Sequence, residues 1–366
     1  MQIMQRTSLF TQHQQSGGKL VDFAGWEMPI QYSGVIEEYR AVRTHVGLFD
    51  VSHMGRVTVE GRDSLAFLQQ VTTNNVAKLA VGDAHYSMVC NPAGGIKDDI
   101  FVYRLGDARF LLCVNASNRD KIVSWLFQKA PQGDVRLNDE SDELAQIALQ
   151  GPRSPEVLRA VSPHAAETLK PRQCMQTDVC GMLGIVSRSG YTGEVGYELY
   201  VPSHQAAAVW EALLKAGELA GIKPCGLGAR DLLRLEVGYL LYGNDIDEQT
   251  TPLEAGATFV VDFTKGEFIG RKPLLEQKDK GPAKHLIAFE LLQKGVPRHG
   301  MKIVANGQEI GVVTSGNLSP LLQRGIGLGY VPTKCSAPGT SFQIDIRGRL
   351  HPAVVVKLPF YKRKAA

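Results

Sequence analysis

Two adjacent carboxylates, Asp98 and Asp99, follow a Pro-Ala-Gly-Gly turn in the stretch Asn91-Pro-Ala-Gly-Gly-Ile-Lys-Asp-Asp-Ile100. A carboxylate can orient a nitrogen nucleophile, move its proton, or stabilise positive charge developing in a transition state. The run Ile100-Phe-Val-Tyr-Arg-Leu105 comes next, Gly106-Asp107 turns the chain, and Phe110-Leu-Leu-Cys-Val114 leads back to Asn115. This pattern predicts a β-hairpin with acid at its mouth. Successive strand residues face opposite sides, so Asp98 and Asp99 are not expected to share a pocket. With a three-residue loop at Gly106–Ala108, Asp99 would stand opposite Asn115. Taken alone, an Asp pair after Gly-Gly is more often a solvated turn, because closing turns is the commoner use of Asp.

The other polar candidates also sit at turn mouths: Tyr191, Glu198, Arg230 and a basic tail, Lys357-Leu-Pro-Phe-Tyr-Lys-Arg-Lys364. A carboxylate suits an amino-pyrimidine edge and an arginine suits a carboxylate tail. Each has an ordinary structural reading as well. Glu198 could be a solvent-facing strand residue and Tyr191 a loop anchor, with Arg230 the helical neighbour of Arg234 at i, i+4. Glycine pairs at Gly226-Leu-Gly228 and Gly325-Ile-Gly327 lack the full Gly-x-Gly-x-x-Gly fingerprint, so neither NAD nor a flavin is expected. No phosphate loop or nucleophile elbow occurs. The six cysteines form no Cys-x-x-Cys and the nine histidines no His-x-x-x-His pair, so no metal is expected.

Those groups need a scaffold. At 366 residues, 44% hydrophobic and 21% charged, the chain has the composition of a soluble globular protein with two or three domains. A net charge of +3 is too small to argue for nucleic acid. There is no apolar run of membrane-spanning length and no signal or presequence pattern, which points to the cytoplasm, with the cysteines reduced. A helix is predicted over Val35–His45 and a strand over Arg56–Glu60. Asp63 is expected to cap a helix bearing Leu65, Leu68 and Val71. A second helix should cover Asn118–Lys129, with Ile122, Val123, Leu126 and Phe127 inward. Further on, strands are expected at Leu144–Leu149, Gly184–Ser189 and Tyr197–Val201, and helices at Glu156–Val161, from Ser203 to Leu219, and over Gly226–Glu236. The order lacks repeated βαβ units and reads as α+β. From about Gly281, five short strands broken by Gly, Pro and Asn predict a third, all-β barrel-like domain. The expected ranges are 1–142 and 143–280, which may interleave as two mixed antiparallel-sheet and helix domains, and 281–366.

The segments that carry a family likeness run through nearly the whole length in order. They are Phe23-Ala-Gly-Trp-Glu-Met-Pro29, Leu48-Phe-Asp-Val-Ser-His-Met-Gly55, Asn91–Asp99, Ser189-Gly-Tyr-Thr-Gly-Glu-Val-Gly-Tyr-Glu198, Ala229-Arg-Asp-Leu-Leu-Arg-Leu-Glu236, Leu241-Tyr-Gly-Asn-Asp-Ile-Asp247, Lys265-Gly-Glu-Phe-Ile-Gly-Arg271, Thr314-Ser-Gly-Asn-Leu-Ser-Pro320 and Leu358-Pro-Phe-Tyr361. In these the chain closely resembles the T-proteins of the glycine cleavage system, folate-dependent aminomethyltransferases. The resemblance implies three domains around a central channel for tetrahydrofolate, a lipoylated H-protein as partner, and a monomer or weak dimer. It implies that Asp99 acts beside the reacting folate nitrogens and that Met54, Tyr86 and Asn115 line the pocket. Tyr191 and Glu198 would hold the pterin, Arg230 would be a pocket arginine, and the Tyr361–Arg363 region would lie near the folate tail. Two rivals share the scaffold: folate-linked partners of sarcosine or dimethylglycine oxidases, and non-catalytic folate-binding modules of iron–sulfur cluster assembly or RNA modification.

Overall fold

The computed structural model describes residues 4–363, so Lys364 of the basic tail lies outside the described residues. Its contacts gather the chain into two compact units. The first comprises residues up to Val71, Asn75–Ser87 and Asp99–Asp231; the second comprises Thr72–Asn74, Met88–Asp98 and Leu232 onward.

In the first unit, six strands form one sheet in the order Cys174–Val179, Met182–Ser187, Gly196–Pro202, Leu144–Gln150, Val46–Asp50 and Ile222–Pro224. All neighbours are antiparallel except the last pair. Val46–Asp50, from the expected 1–142 range, therefore pairs directly with Leu144–Gln150 of the next range. The reason lies in its residues: all five are buried, as a strand in the interior of a sheet requires. Helices Ser154–Val161 and Ala206–Ala216 pack Val157, Leu158, Val209, Trp210 and Leu213 against Leu48, Ile147, Leu149 and Leu199. The second of these helices ends at Ala216, short of Leu219, which is 95% exposed.

A five-stranded sheet carries the hairpin: Ala84–Cys90, Ile96–Gly106, Arg109–Val114, Gly55–Glu60 and Arg136–Asp139, in that order. The helix Arg119–Lys129 turns Ile122, Trp125 and Leu126 inward, while Phe127 is 51% exposed. Trp125 takes the place expected for Phe127 because a three- and four-residue spacing from Ile122 puts Trp125 and Leu126, not Phe127, on the apolar stripe. The Asp63 side chain accepts from the Asp134 backbone N–H at 2.9 Å, tying a distant loop to the start of the helix Ser64–Val71.

The second unit contains a closed six-stranded barrel, ordered Lys284–Leu291, Arg324–Pro332, Gln308–Ser319, Lys302–Ala305, Ser341–Ile346 and Arg349–Val356. Phe289, Ile303, Val313, Phe342, Ile344 and Val355 fill it. The short Lys302–Ala305 strand, which sequence patterning misses, supplies the pairing that closes the ring. Beside it, Arg234 is fully buried and paired with Asp245 at 2.7 Å and with the Ser315 hydroxyl at 2.8 Å. The Asn91–Gly95 turn belongs to this unit. The Asn91 side-chain oxygen accepts from the N–H of Ala93 and of Gly95, and Gly94 takes φ +87°. At Gly95 a Cβ would lie 1.9 Å from the Glu248 carbonyl oxygen, so only glycine fits.

Two buried acid–base groups tie the first unit together. His13 Nε2 and Asp50 Oδ2 lie 2.9 Å apart, the Thr7 hydroxyl donates to the same carboxylate oxygen, and Tyr32 meets His13 Nδ1. Burial opposes ionisation of Asp50, but the His13, Thr7 and Ser52 hydrogen bonds prevail and hold its carboxyl at about 2. At His53 burial comes first, and Arg230 and Arg56 add to it against the pull of Asp50, bringing the imidazole down to about 3.

Both depressions stabilise the fold toward neutral pH, because the unfolded chain binds the proton more readily. The His53 contribution is whole above about 6.5 and is lost as pH falls toward 3; the Asp50 contribution is whole above about 4 and is lost through 2. Melting temperature against pH should therefore flatten between about 6.5 and 3 in His53→Gln and only below about 4 in Asp50→Asn. An unchanged slope in the first variant would refute the buried neutral imidazole. Gly95→Ala should cost roughly 1–3 kcal/mol of stability, the usual range for overpacking. Unaltered thermal unfolding would rule out the close approach to Glu248.

Candidate active site

The hairpin delivers Asp99 to Asn115 by an unexpected route. Its loop has two residues, Asp107–Ala108, between Gly106 and Arg109, which pair. A register shift follows between Arg104 and Gly106, so Leu105 is an extra residue. Beyond this bulge Arg104 pairs with Phe110 and Phe101 with Cys113, and the same register carried onward sets Asp99 opposite Asn115. The Asn115 side-chain amide donates to Asp99 Oδ1 at 2.7 Å and to the Asp99 backbone carbonyl at 2.9 Å. From the neighbouring strand, the Tyr86 hydroxyl donates to Asp99 Oδ2 at 2.8 Å. Each carboxylate oxygen thus has a donor, and the group is half-buried. Asp98 is fully buried and belongs to the second unit. Neither acid is a solvated turn residue.

Met54 precedes Gly55, which pairs with Val114, so Met54 extends the same row across the sheet next to Asn115. It packs against a cluster containing Tyr103, Leu111, Cys113 and Tyr200. That cluster leads to Glu198. Gly196–Pro202 pairs with Leu144–Gln150, setting Glu198 against Ala148 in the sheet interior, and the residue is 9% exposed, not solvent-facing. Glu198 Oε1 accepts from Gln146 Nε2 at 3.1 Å, while Oε2 accepts from the Ser189 hydroxyl and from the Tyr103 hydroxyl at 3.4 Å. Tyr200 in turn donates to Tyr103 at 3.0 Å.

The loop bearing Tyr191 is pinned at both ends. Gln150 Nε2 donates to the Ser189 and Tyr197 carbonyls, and its Oε1 accepts from the Thr192 hydroxyl. Buried Arg43 donates to the Thr192 carbonyl at 2.7 Å and pairs with Glu194 at 2.9 Å. Tyr191 is left to face Arg230, whose guanidinium carbon lies 4.6 Å from its ring centroid. Arg230 Nη1 is buried with no hydrogen-bond partner, and burial lowers the guanidinium's affinity for its proton against the opposing charges of Tyr191 and Glu198. Arg230 is therefore a cation held against a ring, and it is Arg234 that makes the buried ion pair on that helix.

The first unit thus assembles Asp99, Tyr86, Asn115 and Met54 as one group and Glu198, Tyr191 and Arg230 as another. Tyr361 and Arg363 belong to the second unit, where the Tyr361 N–H donates to the Glu236 carbonyl at 2.8 Å and Arg363 is exposed. Sequence reasoning missed Gln146, Ser189, Tyr103, Gln150 and Arg43 as supports. The only sequence signal was that Gln146 and Gln150 are polar in an otherwise apolar strand. No group of three or more His, Cys, Asp or Glu among the described residues is placed to hold a metal ion, and no helix among them is long and apolar enough to cross a membrane.

Residues 9–265 match the GCVT N-terminal domain family and residues 284–362 the glycine cleavage T-protein C-terminal barrel domain family. The chain is 49% identical to an aminomethyltransferase of Halothermothrix orenii over 357 residues, covering 98% of this chain and all of that one. It is 44% identical to the aminomethyltransferase of Bacillus subtilis over 363 residues, covering 99% and 100%. Among solved structures, glycine cleavage system aminomethyltransferase T from Bartonella henselae superposes with a TM-score of 0.92 at 35% identity, over 98% of both chains. With both halves matched and full-length relatives of one activity, the chain belongs to the glycine cleavage T-protein family and is an aminomethyltransferase, an enzyme of the one-carbon transferase class.

Proposed function

We propose that the one-carbon acceptor is tetrahydrofolate and the donor an aminomethyl group on the dihydrolipoyl arm of an H-protein. The products would be 5,10-methylenetetrahydrofolate, ammonia and the reduced arm, and the reaction would take place in the cytoplasm. N5 of the folate attacks a methylene carbon that turns iminium-like as its leaving group departs. Positive charge grows there, and a fixed anion beside it lowers the barrier. The observation that carries this reading is Asp99, with a donor on each oxygen: Asn115 at 2.7 Å and Tyr86 at 2.8 Å. Such a carboxylate is oriented before the substrate arrives, so little reorganisation is left for the reaction itself. Asp99 orients N5 or accepts its proton; Met54 and Asn115 line the same row; Glu198 and Tyr191 hold the pterin, with Arg230 against Tyr191. Tyr361 and Arg363 lie toward the folate tail.

The test is ammonia release from aminomethylated H-protein with and without tetrahydrofolate. Release that depends on folate is expected, and its absence would favour the non-catalytic folate-binding reading. Asp99→Asn should lower kcat by roughly 10²–10⁴, the range for a positioned acid–base group. Asp98→Asn should show its effect in thermal stability, because that side chain is buried on the other strand face. Equal kcat losses in the two variants would sink the assignment. Glu198→Ala should raise the folate Kd at least tenfold, consistent with losing a hydrogen-bonded charge, and an unmoved Kd would remove its pterin role.

A further inference from the structure

We infer that Ser189, Tyr103 and Gln146 are positioning residues that make Glu198 select ligands presenting an N–H edge, an inference resting on the pterin reading above. The geometry is a donor lattice with one direction. The Cys113 thiol donates to Gln146 Oε1 at 3.5 Å, which leaves Gln146 Nε2 to donate to Glu198 Oε1 at 3.1 Å. Tyr200 donates to Tyr103 at 3.0 Å, so the Tyr103 proton goes on to Glu198 Oε2. Burial raises both phenols well above their ordinary range, with the Glu198 charge adding to it, so both stay protonated donors. Ser189 shares a hydroxyl contact with Ser187 at 2.9 Å and donates its own proton to Oε2.

Three side chains on three different strands or their ends therefore aim donors at one carboxylate. A carboxylate offers about four acceptor sites, and the lattice uses three, two of them on Oε2. Oε1 keeps the vacant acceptor site, and its direction is fixed because rotating the carboxylate would break all three bonds. A ligand carbonyl or unprotonated ring nitrogen at this place would meet oxygen against acceptor, and a cyclic amidine or 2-amino-pyrimidinone edge would meet its complement. Glu198 thus makes the contact, and the lattice fixes which ligand edge that contact can take.

Anaerobic titration calorimetry with tetrahydrofolate and with 2-desamino-tetrahydrofolate separates positioning from packing. Ser189→Ala and Tyr103→Phe should each raise the tetrahydrofolate Kd about tenfold, in line with losing one hydrogen bond to a charged group. Both should leave the Kd of the 2-desamino analogue within about twofold of its starting value. Ser189→Thr should restore tetrahydrofolate binding, and Ser189→Ala placed on Glu198→Gln should add no further loss. Equal weakening of both ligands, or full additivity with Glu198→Gln, would overturn the positioning role. If Glu198→Gln alone leaves both constants unmoved, it is the pterin reading itself that falls. Ser189 lies in a partly exposed turn, so its variants test the idea even if a change at fully buried Tyr103 impairs folding.

Discussion

A carboxylate taken out of water must have its lone pairs met by donors, and that requirement organises the first unit. Asp50 is met by His13, Thr7 and the Ser52 backbone, Asp99 by Asn115 and Tyr86, and Glu198 by Gln146, Ser189 and Tyr103. Each set draws on more than one strand or segment, so the acids are oriented only once the sheets have formed. The cost of leaving any of them half satisfied, on the order of 1–3 kcal/mol per orphaned group, makes these positions intolerant of small shifts in register. Site geometry and fold stability are thereby the same set of hydrogen bonds seen twice.

Much of this was legible in the residues. Period-two alternation located the hairpin, and the opposition of Asp99 to Asn115 followed from counting along it. The count reached the right pair through the wrong loop: a two-residue turn alone would have set Asp99 one residue off, and the bulge at Leu105 corrects it. A bulge leaves no composition cue, which is why strand counting cannot see it. In the barrel, the five patterned strands were visible, but Lys302–Ala305 is four residues long and too short to show a period. The helix Arg119–Lys129 showed the limit of apolarity as a guide, since Phe127 is as hydrophobic as Trp125 and yet exposed. Burial of Glu198 was hidden for a related reason: strand alternation marks faces, but says nothing about whether a second layer covers the polar one.

The rival readings part from the main one on whole-chain grounds. Relatives aligned over their entire length carry the aminomethyltransferase name, and a solved T-protein superposes over nearly all residues. Within that family the Asn91–Gly95 turn has a physical explanation independent of chemistry. Asn91 closes the turn on its own backbone, and Gly95 lets the Glu248 carbonyl approach closer than any side chain would permit. The acids that follow are therefore placed by a turn that could not be built from other residues without moving its neighbour.

The backbone changes unit at 71/72, 74/75, 87/88, 98/99 and 231/232. One of these passages is the peptide bond between Asp98 and Asp99 themselves. No single break in the gene can then release either unit as a continuous polypeptide, and a fragment ending before residue 232 carries the 88–98 segment without most of the unit to which it belongs. A cut anywhere before residue 232 therefore separates residues that belong to one unit.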